Sequence, residues 1–132
     1  MKDYLTLWNQ ELLKLKSFTM KSKLTVTGER NQHLGPRWDF AKVRISVEPA
    51  SQFEVIDAAV QDEEAQKARY VDWTIFGLLD VLLVTESAPL KNVRVTIENI
   101  ESHPINSSQI AFRLAGRDAG RKVLESLRST IY

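Results

Sequence analysis

Residues 92–115 read NVRVTIENIESHPINSSQIAFRLA, and within this stretch the apolar spacing changes from that of a strand to that of a helix. Val93, Val95, Ile97 and Ile100 carry the apolar side of a strand over Asn92 to Glu101, while Arg94, Thr96 and Glu98 face away. Asn106, with Gln109 three residues on, reads as a variant capping box that opens a helix running to about Ser129. The apolar stripe of that helix is Ile110, Ala111, Leu114, Ala115, Val123, Leu124 and Leu127. Its other face repeats Arg113, Arg117 and Arg121 every four residues.

Upstream, Tyr70 to Ser87 is expected to be a helix with the stripe Val71, Ile75, Leu78, Leu79 and Leu82. Trp73, Phe76, Leu83 and Val84 extend its apolar surface round the flank, as in a helix covered on two sides. Ser22 to Thr27 and Trp38 to Val47 alternate as strands, and Gly28 to Arg37 between them reads as a polar loop. Phe53 to Val60 fits a short strand and turn, and Gln61 to Arg69 a polar connector. Leu5, Trp8, Leu12 and Leu15 give residues 1–20 the look of a helical arm. The order β-β-(β)-α-β-α predicts an α+β two-layer sandwich, one sheet with helices on one face. Residues 21–132 are expected to form a single domain.

Composition narrows the function. The 132 residues are 43% hydrophobic and 27% charged, which is globular, and the net charge of +1 excludes a bulk electrostatic grip on nucleic acid. With no cysteine there are no disulfides, thiolate zinc sites or cysteine nucleophiles. Neither GxxxxGK[ST] nor GxGxxG occurs among the five glycines, which argues against a nucleotide site. No cofactor is expected. The longest apolar stretch, Ile75 to Val84, is broken by Asp80 and too short for a bilayer, and the start has no signal-like apolar core; both point to a cytoplasmic protein. His33 and His103 follow strands and could meet at one end of the sheet, though without metal-ligand spacing. Ser107 and Ser108 read as helix-opening residues rather than nucleophiles. The arginine stripe either tracks a phosphate backbone or forms a solvated face.

From about Gly35 to Leu127 the chain resembles domain IV of translation elongation factor G, the domain that reaches into the ribosomal decoding site. Lys42 to Pro49 followed by Phe53-Glu54-Val55 looks like a strand, a Glu-Pro turn and a short strand of that domain. Tyr70-Val71, with an exit near Ala88-Pro89-Leu90, looks like its first helix. Ser102 to Ala115 is similar to its His-containing tip loop and Ala-Phe helix. The resemblance implies a split β-α-β fold, with the Gly35 to Phe40 and His103 loops together at one tip that touches messenger and transfer RNA. Gly35, Arg37, Phe40, His103, Asn106 and Ser107 are the matching positions. Pro36, Trp38 and Ala41 stand where that family tends to have glycine, and no counterpart of the GTPase domain is present.

The expectation is therefore a stand-alone, non-enzymatic module that contacts ribosome or structured RNA through Arg37, Phe40, His103, Asn106, Arg113, Arg117 and Arg121. The alternative is a protein-interaction or homo-oligomerisation domain that uses Trp8, Trp73, Phe76 and Leu83.

Overall fold

A computed structural model of the chain describes residues 23–83 and 92–131. The expected arm over residues 1–20, with Trp8, lies outside the described residues. The strands are β1 (Leu24–Leu34), β2 (Arg37–Pro49), β3 (Glu54–Asp57) and β4 (Val93–Glu101); the helices are α1 (Glu63–Ala68), α2 (Tyr70–Leu82) and α3 (Gln109–Ile131). They form an α+β two-layer sandwich on a four-stranded sheet of order β1-β2-β4-β3. β1/β2 and β2/β4 pair antiparallel, whereas β3/β4 are direct parallel neighbours with no strand between them.

Alternation decides which side of the sheet is covered. Ala41, Val43, Ile45 and Val47 of β2 and Val93, Val95 and Ile97 of β4 are fully buried under the helices. The three-residue step from Ile97 to Ile100 would put Ile100 on the wrong face, but a bulge in the β2/β4 register between Arg44 and Ile45 absorbs it. Phe112, Leu78 and Leu82 complete the core from the helices, each stabilising the fold by about 1.5–3 kcal/mol of apolar burial.

Glycines set the distance between layers. A Cβ on Gly77 of α2 would lie 2.0 Å from the Arg113 carbonyl oxygen of α3, and one on Gly116 would lie 2.3 Å from that of Thr74. In the same way a Cβ on Gly28 of β1 would lie 2.3 Å from the Ala115 carbonyl oxygen. Backbone meets backbone at all three points, which only a residue without a side chain permits.

The structure corrects several sequence expectations. Gly28 to Arg37 is not a loop: β1 continues to Leu34 and returns through the two-residue turn Gly35-Pro36. Gly35 has φ 63°, the positive value a tight hairpin turn needs at its first central position. This distal β1 is polar on both faces, so periodicity gave it no apolar signature. Gln61 to Arg69 contains α1, capped by Asp62, whose carboxylate accepts the Ala65 N–H at 2.7 Å. α2 closes at Leu82, with the Leu83 N–H bonded to the Leu79 carbonyl, and residues 84–87 of the longer expected helix lie outside the described residues. The cap of α3 is Ser108 rather than Asn106: its Oγ accepts the Ala111 N–H at 3.0 Å, and Asn106 is held in the preceding turn. Ile110, expected in the buried stripe, is 67% exposed, one residue before Ala111 turns inward. Leu83, expected at an interface, is only 6% exposed and belongs to the core of this chain.

Candidate functional site

The β1–β2 hairpin and the turn between β4 and α3 converge at one end of the sheet. The two-residue turn fixes the register Leu34↔Arg37 and hence His33↔Trp38, so these two rings face each other across the strands. They stack with centroids 5.5 Å apart and planes 6° apart. Trp38 also meets Phe40 at 5.3 Å and, edge-on, His103 at 5.1 Å. Its indole N–H donates to Asn31 Oδ1 at 2.6 Å, which fixes the ring plane. Four rings from two distant parts of the chain thus form one cluster at this end of the sheet.

Hydrogen bonds lock the second segment onto the first. The Phe40 N–H donates to the Asn106 carbonyl at 3.0 Å. The Ser107 hydroxyl donates to the Phe40 carbonyl and accepts the His103 N–H, both at 2.7 Å. Within the turn, His103 Nδ1 accepts the backbone N–H groups of Ile105 at 3.3 Å and Asn106 at 3.4 Å. The Asn106 side-chain amide lies 2.9 Å from the same nitrogen. Two backbone donors leave Nδ1 only the acceptor role, so the neutral imidazole carries its proton on Nε2. Ile105, at the apex of this braced turn, is 85% exposed.

Of the expected contact residues, Phe40, His103 and Asn106 meet here with the matching Ser107. Arg37 lies at the hairpin end, where its Nε donates to Asp39 Oδ1 at 2.9 Å. The arginine stripe lies elsewhere. Arg113 grips Asp80 of α2 with two bonds, of 2.8 and 3.0 Å, and Arg117 adds a third at 2.9 Å. Arg113 and Arg117 therefore bridge the two helices, and Arg121 is exposed farther along α3. Trp73 and Phe76 are half-buried on α2, edge to face at 5.6 Å.

The bridge has a pH signature. Its hydrogen bond to Arg113 first, then that to Arg117 and the charges of both, hold the Asp80 carboxyl below its ordinary value of 3.8 against the opposing effect of burial. A depressed folded value means stabilisation that is complete above pH 4 and is lost as the pH falls through the folded value. Asp80→Asn is expected to cost about 1 kcal/mol at neutral pH, because all three side chains are partly solvated. The variant should also lose less stability than the parent on acidification below pH 4, as read from urea unfolding midpoints across pH.

Trp38, His33 and Ile105 were not among the residues expected to make contacts, although Trp38 and His33 stood out in the sequence. The Gly-Pro dipeptide was the signal that could have placed the first two: read as a two-residue hairpin turn, it sets them opposite each other. Among the described residues, no group of three or more His, Cys, Asp or Glu side chains is placed to hold a metal ion. No described helix is long and apolar enough to cross a membrane.

No family model and no curated protein matches the chain. Among solved structures it is similar to a crystal structure of a Thermus thermophilus protein, at a TM-score of 0.67 and 20% identity, with 77% of this chain covered. That protein is known under a name that states no activity. This chain spans 16% of its length, so the same fold occurs there as one segment of a much longer polypeptide. At this identity the likeness shows the two-layer α+β fold.

Proposed function

We propose that the chain is a diverged module of the elongation factor G domain IV type that contacts ribosomal or other structured RNA through its tip, without catalysis. The observation that carries this reading is the ring cluster, in which His33 and Trp38 of the hairpin meet His103 of the β4–α3 turn. Aromatic faces stack on unpaired bases, and an imidazole and an amide beside them offer hydrogen bonds to base edges. Arg37 at the same end is also paired, with Asp39, but its side chain is 69% exposed, whereas Arg113 and Arg117 are more buried and joined to Asp80 between the helices. Stacking, rather than phosphate tracking, is therefore the main source of affinity.

The test is sedimentation with ribosomes and titration with structured RNA at low and high salt. Association is expected at low salt with only a shallow decline as salt rises, because few phosphates are neutralised. Trp38→Ala should weaken it about tenfold while the far-UV circular dichroism is kept. A folded protein that binds neither ribosomes nor RNA at low salt would overturn the reading.

A second reading, a protein-interaction or self-association domain on the same scaffold, draws on exposed Ile105 and Ile110 and on the half-buried Trp73–Phe76 pair. Light scattering at tens of micromolar separates the two: a dimer whose dissociation is unaffected by RNA would favour the second.

A further inference from the structure

Beside the tip, on the flank of Phe40 towards α1, a cleft of about 390 Å³ opens between the end of β4 and the segment that leads into α1. Its exposed lining is mostly polar, from Gln61, Asp62, Glu101 and Ser102, with Asp62 and Glu101 as the charged groups. Val60 and Phe40 supply the apolar part, and Ala65 and Ile100 lie almost fully buried behind them. Neither carboxylate forms an ion pair among the described residues. Lys42 stands across the strand from Glu101 without reaching it, and Lys67 is taken by Glu63. With Glu64 also nearby, the surroundings of the cleft are net negative. The negative potential extends inward: the Tyr70 phenol is held above its ordinary value by burial first, then by the charges of Glu64 and Asp62.

We propose that this cleft receives an arginine side chain from a basic protein segment. An arginine has the shape and charge the lining asks for: an apolar stem to lie against Val60 and a planar guanidinium that can stack on Phe40 while its N–H groups reach a carboxylate. The same carboxylates repel phosphate, so the cleft complements the aromatic tip rather than extending it. The size is that of a site for one side chain with its flanking backbone.

The experiment titrates isotopically labelled protein with acetyl-Gly-Arg-Gly amide and follows the backbone amides of Val60, Gln61 and Ala65, on the side of the cleft away from the tip. The expected result is a saturable shift of these amides, at least tenfold weaker when citrulline replaces arginine, since citrulline keeps the shape and loses the charge. Glu101→Gln and Asp62→Asn should each weaken binding about tenfold. The asparagine side chain in the second variant still offers an oxygen to cap α1, so folding is kept. Equal shifts with the citrulline peptide, no shift at millimolar peptide, or unchanged affinity in both variants would overturn the proposal. So would a single-stranded RNA oligonucleotide that moves the same amides. RNA binding at the tip is read at the Trp38 indole, so either idea can fail without the other.

Discussion

Gly77→Ala is expected to destabilise the protein by about 3 kcal/mol, although alanine is the better helix former by about 1 kcal/mol. The sign is decided by what the new methyl group meets. Its carbon would sit 2.0 Å from the Arg113 carbonyl oxygen and 2.9 Å from the Arg117 backbone nitrogen. Both are main-chain atoms inside a helix, so no rotamer change can make room and α2 must move away from α3. That shift would stretch the Asp80 bridge to Arg113 and Arg117 and open space around fully buried Leu78, Leu82 and Phe112. Urea unfolding should show a lower midpoint at an unchanged slope. Gly120→Ala is the matched control: its Cβ would press on the Val81 side chain, at 3.1 Å, and meet the Leu78 carbonyl oxygen only at an ordinary 3.8 Å, so the loss should be well under half as large. A Gly77→Ala protein as stable as the parent would mean that the two helices are not held at this spacing by backbone contact.

The legible and illegible parts of this fold divide along physical lines. The strand Val93 to Ile100 and the stripe Val71, Ile75, Leu78, Leu79 and Leu82 were readable because one face of each is buried, and burial imposes a period. Distal β1 was not, because Glu29, Asn31, Gln32 and His33 are all exposed and neither face selects apolar residues. There the Gly35-Pro36 turn fixes the pairing, a local rule weaker in appearance than a hydrophobic pattern. α1 was missed for a similar reason, since six residues with one buried side chain, Ala65, give periodicity nothing to repeat. The arginine stripe shows the opposite failure: its spacing is real, but a single acidic residue on another helix, Asp80, accounts for two of its three members. Such a partner is 33 residues away in sequence and no pattern announces it. For the tip, the residues were legible one by one; that His33 and His103 could meet followed from both coming after strands, and the meeting of the two loops as a tip was expected from the resemblance. The clamp that makes them one surface was not legible, because Ser107 reads in sequence as one more helix-opening serine.

That clamp carries the second large effect. Ser107→Ala is expected to cost about 2 kcal/mol of stability and to separate the two halves of the tip. The hydroxyl makes two bonds at once, to the Phe40 carbonyl and from the His103 N–H, each 2.7 Å long. Alanine leaves a partly buried acceptor on β2 and a partly buried donor at the start of the turn, with nothing in reach to replace the oxygen. The Phe40 N–H to Asn106 carbonyl bond then becomes the main link between hairpin and turn, beside the edge-on contact of Trp38 with His103. A stacking surface built from both segments should weaken along with the link, so RNA association should fall even though Ser107 presents no ring of its own. Trp38→Ala and Ser107→Ala should accordingly be non-additive in RNA binding, because each removes the same composite surface, while distant Asp80→Asn should add to either. Nuclear Overhauser contacts between the Trp38 indole and the His103 ring report the geometry directly and should disappear in Ser107→Ala while those between His33 and Trp38, held by strand register, persist. If the Trp38–His103 contacts and the RNA affinity both survive the loss of the hydroxyl, the tip is organised by the rings themselves and Ser107 is only a structural hydrogen bond.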